Sequence, residues 1–121
     1  MSRRHETGRQ GEAAAERHLA SRGYTILARR YRVRRGEIDL VARHEGAIVF
    51  VEVKSRTSDA FGGPFASLHG RQRARIAAAA ARFLAENPRY GRLVCRFDAI
   101  AVLLGRPEGP FVEHIEDAFR L

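Results

Sequence analysis

The stretch from Glu37 to Arg56 constrains the fold most. Two runs rich in branched apolar residues, Glu37–Arg43 and Ala47–Arg56, are separated only by His44-Glu45-Gly46. Such runs around a short glycine-containing link read as a β-hairpin. With Glu45 and Gly46 as the two central turn residues, His44 faces Ala47, and every directly opposite pair shares their residue-number sum, 91. Asp39 then falls opposite Glu52, and Glu37 opposite Lys54. Strand alternation puts these four on one face with Val41, Arg43, Ile48 and Phe50. Ile38, Leu40, Ala42, Val49, Val51 and Val53 go to the other. A longer loop would shift the opposite pairs but keep 37 with 39, and 52 with 54. Apolar residues on both faces mark central strands covered on both sides.

Two carboxylates facing one another in such a place are costly. Like charges directly across a strand pair destabilise by roughly 0.2–1 kcal/mol. Desolvation adds to that unless the groups are paired, protonated or bound to a cation. Facing carboxylate oxygens with room for water and phosphate suit a hard divalent cation. Ordinary cross-strand ion pairs on a surface hairpin are the plainer alternative. Against them stands Val49-Phe50-Val51-Glu52-Val53-Lys54, where two charges interrupt an otherwise apolar core strand.

Lys54 is conspicuous for a second reason. The chain has 22 Lys and Arg residues, and Lys54 is the one lysine among them. Arginine serves wherever a generic cation will do, but a guanidinium cannot replace a compact ammonium that exchanges a proton. The net charge of +8 points to a polyanionic partner, since a basic surface supplies sequence-independent affinity for phosphate backbones.

Around the hairpin, a helix is expected from Gly8 to Arg22, with a Thr7/Gln10 capping box and Gly23 as C-terminal cap. Tyr24–Val33 reads as a strand whose arginines suit an edge or a solvated face. Thr57 to Phe65 reads as a loop, and Leu68 to Asn87 as a second helix stopped by Pro88. Leu93–Leu104 is an apolar strand interrupted by Asp98; a turn over 105–110, a short strand Phe111–Ile115 and a ragged end follow. The order α-β-β-β-α-β-β implies one α/β layer domain over residues 1–121, with a central mixed β-sheet flanked by helices. Strand order is not recoverable from the pattern. Cys95 reads as a small core residue in a reducing compartment, the cytoplasm. No signal peptide and no membrane-length apolar run are evident.

Several side groups bear on a partner. Arg29, Arg30, Arg32, Arg34 and Arg35 precede the hairpin and suit phosphate contacts that position without specifying sequence. Arg71, Arg75 and Arg82 share one face of the second helix, opposite Ile76, Ala80 and Phe83, either tracking a backbone or simply solvated. Gln72, at the start of that helix, is a candidate to approach the carboxylates, its role left open. Asp98 reads as a buried partner for an arginine, with a supporting place in the site as the alternative. The five histidines show no metal-ligand spacing and read as incidental.

Gly36-Glu37-Ile38-Asp39-Leu40 followed by Val51-Glu52-Val53-Lys54 resembles the PD-(D/E)xK nuclease signature, in the branch of archaeal Holliday-junction resolvases and RecB-type nuclease domains. Gly8-Arg9-Gln10-Gly11-Glu12 and Arg96-Phe97-Asp98-Ala99-Ile100 extend the resemblance over nearly the whole chain to the YraN-like group of small bacterial proteins. The proline that often precedes the motif aspartate is Ile38 here. The resemblance implies a restriction-endonuclease-like core and an endonuclease hydrolysing phosphodiester bonds in DNA, with branched or flapped structures as candidate substrates. Asp39, Glu52 and the Val53 carbonyl would hold Mg²⁺ or Mn²⁺, Lys54 would orient or deprotonate water, and Glu12 would reach in from the first helix. A homodimer, the state resolvases adopt, is compatible with it. A non-cutting nucleic-acid binder on the same fold and a nuclease acting on RNA are the alternatives.

Overall fold

The computed structural model describes residues 3–57 and 70–120. Helix α1 spans Arg3–Ser21, β1 Thr25–Val33, β2 Gly36–His44, β3 Ala47–Arg56, α2 Gly70–Glu86, β4 Val94–Leu103 and β5 Phe111–Ile115, with a 3-10 turn over Pro88–Tyr90. Most of the loop expected from Thr57 to Phe65, and Leu68 at the expected start of the second helix, lie outside the described residues. The architecture is α/β, a five-stranded mixed sheet flanked by two helices, as a restriction-endonuclease-like core requires. The strands run in the order β1-β2-β3-β4-β5, with β3 and β4 parallel and every other pair antiparallel. The parallel pair obliges the chain to cross over between β3 and β4, and α2 lies on that crossover.

Helix α1 begins earlier than the capping box suggests, so Thr7 lies inside it. Side chains one turn apart support the extension: Gln10 donates to Glu6 at 3.1 Å, and Arg9 lies 4.0 Å from the same carboxylate. Its other end is as expected. Gly23 takes φ 86°, its N–H reaches the Ala20 carbonyl at 3.1 Å, and the Tyr24 N–H reaches that of Leu19 at 3.0 Å. That double closure satisfies carbonyls the helix would leave orphaned, and it needs a residue at ease in the left-handed region.

The β2–β3 turn is the two-residue hairpin the sequence implies. Glu45 and Gly46 both have positive φ, 47° and 81°, the mirror-image turn whose twist matches the strands. Its register runs Leu40↔Val51, Val41↔Phe50, Ala42↔Val49, Arg43↔Ile48 and His44↔Ala47, as derived. The sheet is covered on both faces. Against α1 (Ala14, Ala15, Leu19) pack Leu40, Ala42, Val49, Val51, Ile100 and Val102. Against α2 (Ile76, Ala79, Ala80, Phe83) pack Val41, Ile48 and Phe50.

Ile38 corrects the simple alternation. It joins the α2-side cluster with Val41 instead of following Leu40 to the α1 side. The irregularity continues across β1, an edge strand as its arginines suggest. Its register shifts between Ile26 and Ala28, and Arg30, in the position facing Asp39, has φ 47°.

Three further expectations are corrected. Asp98 does not interrupt its strand: the β3–β4 ladder runs unbroken through Val51↔Asp98. Cys95 is exposed, because β5 pairs only with Ala99–Leu103 and leaves the start of β4 uncovered. The C-terminal segment is tied down rather than ragged. The Ala118 N–H reaches the Phe97 carbonyl at 2.8 Å, and the Phe119 ring packs 5.5 Å from that of Phe97. Among the described residues, no helix is long and apolar enough to cross a membrane.

Candidate functional site

The register of β2 against β3 ends at Leu40↔Val51, one residue short of Asp39 and Glu52. Hydrogen-bonded pairs alternate along an antiparallel ladder, so Ile38 with Val53 would come next. Instead the Val53 N–H donates to Asp39 Oδ2 at 2.7 Å. A carboxylate has taken the place of a backbone carbonyl, and the strands part around it. In an extended strand a residue's N–H and C=O face the same neighbour, so the Val53 carbonyl also turns toward this gap.

Glu52 comes to the gap from the α2 side. Its side chain is 11% exposed, Gln72 Nε2 donates to its Oε1 at 2.8 Å, and Lys54 Nζ lies 3.5 Å from that oxygen. Asp39 and Glu52 are within hydrogen-bonding reach of one another. Burial raises the Asp39 pKa well above the usual carboxylate range, and the charge of Glu52 raises it further; the Val53 N–H offsets only part. Burial also raises Glu52, against the opposing pull of Lys54, Gln72 and the bond to Asp39. Two desolvated acids therefore share a space that favours one proton or one cation between them. Their oxygens and the Val53 carbonyl form a hard donor set, which fits Mg²⁺ or Mn²⁺.

The other expected residues surround this centre unevenly. Glu12 lies on α1 immediately after Gly11, where any Cβ would stand 1.6 Å from Ser55 Oγ, so the helix rests closely on β3 one residue beyond Lys54. Glu12 lines a recess of about 450 Å³ with Gly8, Arg9, Arg30, Arg32, Glu37 and Asp39. It does not join the carboxylate pair: Arg30 Nε holds its Oε1 at 2.8 Å. Among the described residues, no group of three or more His, Cys, Asp and Glu side chains is poised to chelate a metal. Glu37 pairs with Arg32 at 3.1 Å, and Lys54 with Glu52 instead.

Of the arginines, Arg29 is bound to Glu16 of α1, while Arg34 and Arg35 are exposed at the β1–β2 turn. That turn abuts α2: a Cβ on the buried Gly36 would lie 1.9 Å from the Arg75 carbonyl oxygen. Arg34, Arg35 and the exposed Arg75 therefore belong to one region of surface. Arg82 is exposed and paired with Glu86 at 3.1 Å. The side chain of Arg71 lies outside the described part. Ile76, Ala80 and Phe83 are buried, so the helix faces are as expected.

A second polar centre was read only in part. Asp98 is fully buried and accepts from Arg96 Nε at 2.8 Å and Nη2 at 3.0 Å, and from the Asp117 N–H at 3.0 Å. His114 Nε2 lies 2.8 Å from its Oδ2, and His18 Nε2 lies 3.2 Å from His114 Nδ1. His44 stacks on Tyr24 at 3.9 Å. These three histidines are structural rather than incidental. The available signal was Asp98 two residues after Arg96 on one face of an apolar strand; nothing local pointed to His114 or His18.

The sequence profile of the Uncharacterised protein family UPF0102 matches residues 11–102. The chain belongs to the UPF0102 family. It is similar to a UPF0102 protein of Saccharophagus degradans, 45% identical with 100% of this chain and 98% of the relative covered. A UPF0102 protein of Moorella thermoacetica is 48% identical, with 98% of each chain covered. One from Frankia alni is 49% identical over 93% of this chain and 92% of its own. The UPF0102 match takes in Glu12, Asp39, Glu52 and Lys54.

Proposed function

We propose that this UPF0102 protein is a metal-dependent endonuclease of the PD-(D/E)xK type, hydrolysing phosphodiester bonds in DNA. The observation that carries the reading is the meeting of Asp39 and Glu52 in the gap between β2 and β3, with Lys54 3.5 Å from Glu52. A structural role gives no reason to bury two mutually repelling carboxylates, whereas a cation would relieve them. Asp39, Glu52 and the Val53 carbonyl would hold Mg²⁺ or Mn²⁺. When bound, the metal supplies a water that is nucleophilic near neutral pH and neutralises charge on the leaving oxygen.

The chain's own residues do the rest. Gln72 fixes one oxygen of Glu52, and the Val53 N–H fixes one of Asp39, so neither carboxylate swings away. Lys54 presents a compact ammonium beside Glu52 that can orient the attacking water, take part in moving its proton, or offset charge on the phosphate. Arg34, Arg35 and Arg75 offer an exposed positive surface for the phosphate backbone, which fits the net charge of +8. In this reading the protein works in the cytoplasm, where the exposed Cys95 thiol stays reduced.

The test is cleavage of a panel of linear, branched, flapped and single-stranded DNAs and matching RNAs, with Mn²⁺ and with chelator. Metal-dependent cutting of DNA supports the reading. Cutting of RNA alone transfers the activity to that substrate, and binding without cutting anywhere on the panel makes the protein a non-catalytic binder.

A further inference from the structure

We propose that Glu12 acts on substrate through Arg30, as one half of a clamp that grips a backbone phosphate beside Asp39. This deepens the endonuclease reading and rests on it for the kind of substrate. The resemblance makes Glu12 a helper of the metal; the contacts give it other work.

Arg29 and Arg30 are adjacent in β1, and a regular strand would send them to opposite faces. Both nevertheless reach carboxylates on one helix: Arg29 binds Glu16, and Arg30 binds Glu12 one turn away. Arg30 does so with φ 47°, in the left-handed region that a non-glycine residue rarely adopts. Backbone strain of this kind persists where the surrounding structure holds it in place, and it clusters at ligand clamps. Glu12 takes the Nε of Arg30, and no other hydrogen bond engages the guanidinium among the described residues, so both Nη groups remain for a ligand. Two Nη groups in a fixed plane match two oxygens of a phosphate. Arg30 lines the recess that also holds Asp39, so a phosphate there lies next to the metal-binding pair. Glu12 is a positioning residue, since it fixes the plane and reach of the fork.

This assignment reverses the sign of an ordinary electrostatic expectation. Removing a carboxylate beside a polyanion should tighten binding, whereas removing the group that orients Arg30 should weaken it. The experiment is fluorescence anisotropy of a labelled 20-bp DNA duplex in EDTA, for wild type, Glu12→Gln, Arg30→Ala and the double variant. Circular dichroism checks that each is folded. Arg30→Gly, which the positive φ favours, is the second variant should Arg30→Ala unfold.

Loss of Arg30 should weaken binding about tenfold and lower the salt slope of log affinity by about one, the value of one phosphate contact. Glu12→Gln should weaken binding several-fold, and should add nothing once Arg30 is gone. Mn²⁺ affinity, read by calorimetry, should stay near wild type in Glu12→Gln. Tighter DNA binding by Glu12→Gln, losses that multiply in the double variant, or a collapse of Mn²⁺ affinity in Glu12→Gln would each overturn the clamp. Because no cutting is involved, a wild type that binds the duplex but never cleaves it overturns the endonuclease reading and leaves the clamp intact. A wild type that does not bind the duplex overturns both.

Discussion

The sheet carries two acidic centres, one fully buried and one largely so, that solve the same problem in opposite ways. Asp98 in β4 is surrounded by donors: the Arg96 fork, the His114 ring and the Asp117 N–H. Burial pushes its pKa up, but these partners outweigh it and hold the carboxyl below its ordinary range. Asp39 in β2 has one backbone donor and a second carboxylate for company, and burial with that neighbour holds it well above the same range. The first centre is complete within the chain and ties β4, α1, β5 and the C-terminal segment together. The second, in the reading proposed above, is completed by a cation. An acid whose charge is already balanced serves the fold; one left unbalanced at a gap in a sheet is, on the proposed function, the place for a ligand.

Breaking the first centre should cost most. Asp98→Ala leaves a guanidinium without its counter-charge at a largely buried site, a loss of roughly 3–5 kcal/mol. Thermal unfolding should show a fall in Tm of ten degrees or more. Arg96→Lys, which keeps the charge but loses the bidentate fork and the 2.7 Å bond to Tyr24, should cost about 1–3 kcal/mol by the same measurement.

The corresponding exchange at the second centre should leave the fold alone and remove the chemistry. Lys54→Arg keeps charge and reach, but its guanidinium does not release a proton near neutral pH and is bulkier than an ammonium. We expect metal-dependent cleavage to fall about 10²–10⁴-fold on a DNA that the wild type cuts, with Tm and DNA affinity nearly unchanged. Wild-type rates in Lys54→Arg would remove the case for Lys54 as more than a cation.

The hairpin register, the shared face of Glu52 and Lys54 and the Gly23 cap were legible because each depends on neighbours close in sequence. Turn length fixed which residues meet, and glycine at a helix end has a local cause. The flip at Arg30 and the shift of Ile38 were not legible, since both arise where β1, β2 and α1 meet. The burial of His114 depends on Asp98 and His18, one of them 96 residues away, which no local pattern encodes. Cys95 looked like core because its segment is apolar, but exposure was decided by how short β5 is. Gln72 could be brought near the carboxylates only as one helix-start residue among several; the sequence could not say that it would hold Glu52.

The two centres should also differ in their response to pH. Asp98, with a lowered folded pKa, contributes stability that is present above the unfolded pKa of about 4 and lost as pH falls through the folded value. Asp39 and Glu52, with raised values, favour the protonated form; their contribution is full below about pH 4 and lost as pH rises through the folded values. Metal-free Asp39→Asn keeps an oxygen for the Val53 N–H while removing the repulsion. It should therefore be more stable than wild type at neutral pH, by about 1 kcal/mol or a few degrees in Tm, and the gain should vanish in acid.

The central claim is that the unbalanced pair is a metal site, and calorimetric titration with Mn²⁺ at neutral pH tests it most directly. Wild type should bind saturably, with an affinity that falls as pH is lowered, because protons compete with the cation for a carboxylate pair whose pKa values are raised. Asp39→Ala and Glu52→Ala should each lose at least tenfold in affinity, together with that pH dependence. Unchanged Mn²⁺ affinity in both variants would contradict the account and return Asp39 and Glu52 to the fold.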